Sequence, residues 1–222
     1  MATTNSINNN NITATSLTVD PEAASDSYVQ FSINTTEEFR IGVDDTDDSF
    51  RISQGSALGT NDTLVITSAG EITRPLTPAF LAVLASTLAD VTGDATAYTV
   101  VWDTEVFDQN GDFDGTSTFT SPVTGRYVLD VGIMFDDVAS ANTTGHVEIT
   151  TSNRAYLSCV SDYGNWFASD SQIGFSFSVL ADMDAADTAL IEVSVSNGTK
   201  IVDLVSNGST DPYNWFSGNL QC

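Results

Sequence analysis

Positive charge is what this sequence has least of. Six Lys and Arg face 30 Asp and Glu, for a formal net charge of −24. A phosphate backbone needs clustered cations, so this balance argues against a nucleic-acid partner. The same Coulomb repulsion disfavours an anionic membrane surface. Long apolar runs are missing too: stretches such as Pro78–Leu84 are far too short to cross a bilayer, and no membrane insertion is expected. Residues 1–19 hold neither a basic region nor an apolar one, unlike a standard signal peptide. The expectation is a protein made without a secretion route. Cysteine is limited to Cys159 and Cys222, which allow one disulfide within or between chains but form no metal motif. The single histidine, His146, sits in an alternating stretch with no serine or cysteine elbow beside it. No phosphate loop, zinc spacing or His-Glu-x-x-His motif occurs. These absences leave catalysis little to work with.

What is present suits β-sheet. Apolar residues make up 41% and charged residues only 16%, so a folded core is within reach. Thr, Ser, Asn, Val and Ile are abundant, as strands and turns require. Residues 1–27 form a polar, Asn-rich tail, read as an anchoring segment that either stays disordered or orders against a partner. From Tyr28 the pattern alternates with period two, which means β. Val29, Phe31 and Ile33 point one way, followed by Phe39, Ile41 and Val43, then Phe50 and Ile52, Leu64 and Ile66, and Ile72. Phe39-Arg40-Ile41 returns eleven residues later as Phe50-Arg51-Ile52. A sheet this small has one apolar face and little to cover it. Three copies around one axis would bury three such faces together, so 28–77 reads as the shaft or neck of a fibre; the alternative is a small separate β-domain.

Pro75 and Pro78 punctuate the chain and place the start of a second part at 78. Residues 79–89 have helical propensity. Further on, alternation recurs over 99–104, 126–135, 146–151, 174–180, 190–195 and 200–205. Asn197-Gly198 reads as a hairpin turn. Regular short strands without helical stretches argue for a sandwich or barrel.

One segment narrows the choice. DQNGDFDGTSTFTSPVTGRYVLDV at 108–131 runs from an acidic turn through Phe119, Pro122, Gly125 and Tyr127 into a strand. Pro78-Ala79-Phe80 with Ala82, and Phe216-Ser217-Gly218 with Leu220, flank it in order. Together they resemble the complement globular-head family, the trimeric jelly-roll relatives of tumour necrosis factor. The resemblance covers 78–222 and implies a jelly-roll β-sandwich head, a first strand rather than a helix at 79, a homotrimer, and a protein that binds and assembles without catalysing.

Three constellations could carry chemistry. Asp108, Asn110, Asp112 and Asp114 space oxygen ligands as in the opening of a helix-loop calcium site. Phe113 and Phe119 stand where that site needs glycine and glutamate, and a plain acidic turn is the alternative. Asp44, Asp45, Asp47 and Asp48 repel one another unless solvated or metal-bound; Arg40 and Arg51 lie on the face opposite Phe39 and Phe50, where exposed ion pairs are worth only ~0.2–1 kcal/mol. Tyr163 and Trp166, with Phe167, lie in a loop-like sequence echoed by Tyr213, Trp215 and Phe216. Such rings either bind a ligand or plug the sandwich or a subunit seam, and Tyr163 and Trp166 are the candidate ligand-binding pair.

The expectation is an all-β chain with a C-terminal jelly-roll head and a short-strand β shaft. It would serve as a trimeric fibre, spike or decoration protein of a virus, a phage by preference. The N-terminus would meet other virion proteins, and the head would meet a host-surface glycan or protein from the virion surface. The rival is a bacterial surface or secreted adhesin, cell-surface or extracellular; a glycan depolymerase, marked by a cleft with two opposed carboxylates, stands third. Calcium is the one cofactor the residues leave open.

Overall fold

The computed structural model describes residues 18–21, 24–161 and 171–222. The described residues form seventeen strands and no helix. None is part of a helix long and apolar enough to cross a membrane. The chain forms two compact units, Met1–Pro75 and Leu76–Cys222.

The first unit is an antiparallel meander of five strands in sequence order. They are β1 (Ser27–Ile33), β2 (Thr36–Asp44), β3 (Ser49–Gln54), β4 (Asp62–Ile66) and β5 (Ile72–Thr73). Register puts the apolar residues in cross-strand rows. Val29 faces Ile41, Ile41 faces Ile52, and Ile52 faces Leu64; Val43 faces Phe50, Phe50 faces Ile66, and Ile66 faces Ile72; Phe31 faces Phe39. The other side carries Gly42, Asp44, Ser49, Arg51, Ser53 and Val65. Burial falls on that polar side: Asp44, Ser49, Ser53, Asp62, Leu58 and Val65 are buried, whereas Phe31, Ile33, Phe39 and Ile72 are exposed. The expectation of exposed ion pairs is therefore corrected for Arg51. Its guanidinium meets Asp44 Oδ2 at 3.1 Å, Asp47 Oδ2 at 2.6 Å and Asp62 Oδ2, and only Asp47 of the three is solvent-facing. Arg40 lies instead over the Tyr28 ring, 4.0 Å from its centroid, and donates to Gln30 Oε1.

The second unit is a jelly roll. Its strands are β6 (Ala79–Val83), β7 (Leu88–Thr92), β8 (Tyr98–Thr99), β9 (Thr104–Asp108), β10 (Phe119–Thr120), β11 (Gly125–Val138), β12 (Thr144–Thr151), β13 (Ala155–Ser161), β14 (Ser171–Met183), β15 (Thr188–Ser196), β16 (Val202–Leu204) and β17 (Trp215–Leu220). One sheet runs β7-β16-β11-β17-β6-β9, with β14 also pairing β11; the other runs β10-β15-β12-β13, with β8 pairing β15. From β11 onward the chain passes between sheets: β12 and β13 in the second, β14 in the first, β15 in the second, β16 and β17 in the first. That exchange is what defines a jelly roll against a simple meander. The strand at 79, not a helix, pairs with the last strand, so Phe80 faces Gly218.

Alternation explains the core between the sheets. Tyr127, Leu129, Val131, Ile133 and Phe135 of β11 point inward, against Val147 and Ile149 of β12 and Ile191 and Val193 of β15. An aromatic group closes one end: Phe80 stacks on Phe113 and Phe119 at 5.2 and 4.8 Å and meets Phe216 edge-on at 4.9 Å. The Tyr127 hydroxyl donates to the Val123 carbonyl at 2.8 Å. A Cβ at Gly218 would lie 2.7 Å from Phe80 Cε1 and 2.8 Å from Leu129 Cδ2, so glycine here leaves room for the Phe80 ring and the Leu129 methyl.

Two expected elements differ. The strand expected over 99–104 is two pieces, because the Val100 N–H bonds the Ile191 carbonyl while the Trp102 N–H bonds the Thr116 carbonyl. The alternation of Val100 and Trp102 reports burial, not one ladder. Asn197-Gly198 does not close a hairpin, since β15 and β16 lie in different sheets. Gly198 instead donates to the Gly93 carbonyl beside buried Asn142, whose side-chain amide donates to the same carbonyl.

Candidate functional site

The outer face of the β14-β11-β17-β6-β9 sheet is the most distinctive surface of the second unit. Register sets its rows. Trp215 lies between Val83 and Gly132, and Gly132 pairs with Ser176. The indole lies across Gly132: a Cβ there would come within 2.3–2.4 Å of Cη2, Cζ2 and Cζ3 of the ring. In the next row Phe107, Leu81, Ser217, Asp130 and Ser178 follow one another across five strands. Trp215 stands between two shallow hollows. One is lined by Asp130, Ser176 and Ser178, the other by Met134, Gly174, Pro212 and Tyr213. Phe107 is 49% exposed, Leu180 59% and Tyr213 37%. The echo segment thus divides by strand parity: Phe216 belongs to the core, while Trp215 and Tyr213 face outward.

The acidic turn is held by backbone hydrogen bonds to its carboxylates. Asp108 accepts backbone N–H bonds from Gly111 at 3.1 Å and Phe113 at 2.8 Å. Asp114 Oδ1 accepts from the N–H groups of Thr116, Ser117 and Thr118 at 2.8–3.0 Å. Burial works against this charge, but the three amides prevail and hold the carboxyl down at about 2. The Asn110 side chain donates to the Leu76 carbonyl at 3.1 Å. Asp112 has one buried oxygen with no hydrogen-bond partner among the described residues, and burial, then the Asp108 charge, raises its pKa. Asp108 and Asp114 therefore serve as turn acceptors, and Asp108, Asp112 and Asp114 do not converge as a three-carboxylate set.

Among the described residues, the carboxylates that converge are Asp26, Asp44 and Asp45, whose oxygens lie within 4.8 Å of one another. Asp44 is already held by Arg51 and by the Thr46 N–H. His146 lies on β12 directly between Cys159 and Ser194 in register. Cys159 and Cys222 are both exposed and free. Tyr163 and Trp166 lie outside the described residues.

Comparison with solved structures returns proteins of the type the sequence resemblance names. The globular domain of zebrafish complement 1qA is 17% identical over 66% of this chain and 98% of its own, with a TM-score of 0.46. Murine APRIL is 13% identical over 65% of this chain and 99% of its own, with a TM-score of 0.43. No family model and no curated protein matches the chain.

Chemically, the outer face can bury apolar area and stack rings. It presents small floor residues, Gly132, Gly174, Ser176 and Ser178, around one large indole. Its signal in the sequence was Gly132, an isolated glycine inside a strand, which marks close approach of another group. Naming that group required the register.

Proposed function

We propose that this chain is a self-assembling, non-enzymatic attachment protein of a virus particle, a phage by preference. In this reading three copies join through the outer sheet face around Trp215. The N-terminal segment docks on other virion proteins, and the head engages a host-surface glycan or protein. The observation that carries it is that face: an indole laid across Gly132 with exposed Tyr213 beside it, and exposed Phe107 and Leu180 further out on the same sheet. Homo-oligomers close on cyclic symmetry, and a patch of this type in a chain of net charge −24 fits a copy approaching through a surface where Asp130 is the carboxylate beside the indole.

Light scattering of the intact protein at micromolar concentration tests the assembly. The expected mass is that of a trimer, and Trp215→Ser lowers it. A stable wild-type monomer would refute the reading. Adsorption tests the second half: Tyr163→Ala with Trp166→Ala leaves the assembly intact and weakens attachment to host cells. Capsid and tail genes beside this one favour the virion; their absence favours the bacterial adhesin.

A further inference from the structure

We infer that the apolar face of the N-terminal sheet is covered by the same face of other copies of this chain, forming a second self-contact. The inference rests on the self-assembly proposed above and assigns it a further surface.

The five-stranded sheet is inverted relative to an ordinary domain. Its buried side is ionic, with Arg51 held among Asp44, Asp47 and Asp62 and with Ser49 and Ser53 beside them. Its apolar side faces outward, with Phe31 56% exposed, Ile33 65% and Ile72 64%. The apolar burial that normally drives folding is therefore supplied only in small part within the unit, by Leu58 and Val65 and by the half-buried Ile41, Ile52, Leu64 and Ile66. Seven large apolar residues of the face are 37–65% exposed, which at about 150–250 Å² for a whole aromatic side chain leaves several hundred Å² open per copy. Monomers typically leave patches of about 300–600 Å² open, and a stable pair buries about 800 Å² on each partner. The face thus has nearly the area that a specific contact needs.

Residues 1–17 are an inadequate cover. Their sequence, MATTNSINNNNITATSL, offers only Met1, Ile7, Ile12 and Leu17 as large apolar groups against a face of five strands. A copy fits on charge as well. The rows of the face carry no ionised side chain. Six of the eleven acids of residues 1–75 lie in the Asp44–Asp48 turn and at Glu37 and Glu38, at opposite ends of β2; Asp26 joins that turn and Asp62 meets Arg51 on the polar side. Face-to-face packing leaves the carboxylates at both ends of β2 at the perimeter, where separation and salt weaken their repulsion.

The test uses the full chain with both native cysteines replaced, Cys159→Ser and Cys222→Ser. Phe39→Cys then places one thiol on the apolar face, and Gln30→Cys places one on the polar side of the same sheet. A short bis-maleimide should join Phe39→Cys chains into covalent dimers, the largest product one thiol per chain allows, while Gln30→Cys chains stay single. Val43→Cys, on the same face, repeats the test if Phe39→Cys loses amide protection in β2–β4. An assembly of unchanged mass by light scattering whose Phe39→Cys and Val43→Cys chains both stay single would overturn this inference and leave the head assembly standing. A monomeric mass would refute the self-assembly reading itself.

Discussion

Replacing Arg51 by methionine should destabilise the N-terminal sheet while leaving the head intact. Methionine keeps most of the side-chain length but removes the cation that Asp44 and Asp62 face. Both carboxylates are nearly sealed from water, at 6% and 7% exposure. Breaking a buried ion pair from one side costs about 3–5 kcal/mol, because the remaining charge has no partner and little solvent. Two features bring the figure to the lower end. Asp62 keeps the Ser53 hydroxyl and the Gly59 N–H, and Asp44 keeps the Thr46 N–H. The expected loss is about 3 kcal/mol, against roughly 3–8 kcal/mol for the whole of so small a unit. Hydrogen exchange read by mass spectrometry is the assay. Amides of β2–β4 should exchange roughly 100-fold faster, since each 1.4 kcal/mol is tenfold, while those of β11 and β15 stay unchanged. Adding Asp44→Asn and Asp62→Asn to Arg51→Met should restore much of the protection, because the orphaned charges are then gone. Unchanged exchange in the single variant would show that the ionic side does not hold the sheet, and the account of its inverted polarity would fail.

Other outcomes follow from single contacts. Gly132→Ala should lift the Trp215 indole from the sheet, change tryptophan fluorescence, cost about 1–3 kcal/mol as overpacking, and weaken assembly by light scattering; unchanged assembly would remove Trp215 from the seam. Asp114→Ala strips the shared acceptor of three amides and should lower head stability by about 1 kcal/mol in chemical denaturation, the usual scale for losing such a cap. The folded-state pKa of Asp114 is depressed from 3.8 to about 2. Its contribution is therefore complete above the unfolded value and is lost as pH falls from 3.8 toward 2. Wild type minus Asp114→Ala should show that window, and a difference independent of pH down to 2 would contradict it. Chelating calcium should leave the head melting temperature unchanged, because the carboxylates of Asp108 and Asp114 already have backbone donors; a clear drop would favour a metal in that turn.

Much of the architecture was legible in the alternation, but in a specific sense. The pattern at Phe39, Ile41 and Val43 states that the two sides of a strand differ. It does not state which side is covered. In the first unit the covered side is the charged one, because Arg51 gathers three carboxylates that lie four to eleven residues away in sequence. Spacing alone does not predict that convergence. The same limit applies at Val100 and Trp102, where inward alternation continues across a break in hydrogen bonding. At the candidate sites, the oxygen spacing of Asp108 to Asp114 was visible. That their acceptor capacity goes to backbone amides depends on turn geometry. Trp215 was noted as one aromatic among several, and only the pairing of β17 with β11 sets it on Gly132. The jelly-roll motif was more transparent, because Phe119, Gly125, Tyr127 and Gly218 each answer to a local steric demand that few other residues meet.

The contrast between the two interiors carries a last prediction, about which part folds first. The head has a continuous apolar core between two sheets, closed by Phe80, Phe113, Phe119, Trp102 and Phe216. Nothing in that core needs another chain. The first unit has an ionic interior and an open apolar face, so its stability depends on how many copies are gathered beside it. A cut between Pro75 and Leu76 respects the head, because Gln109 and Asn110 donate to the carbonyls of Thr77 and Leu76, within the retained part. Residues 76–222 should therefore melt as a cooperative β protein at any concentration. Residues 1–75 alone should lack protected amides at low micromolar concentration and gain them as concentration rises. In the intact chain the head would then fold first and supply the local concentration the sheet needs. Circular dichroism and hydrogen exchange on both fragments decide it. A monomeric 1–75 with a sharp, concentration-independent melt would mean that the inverted sheet is self-sufficient, and the dependence of its folding on assembly would have to be abandoned.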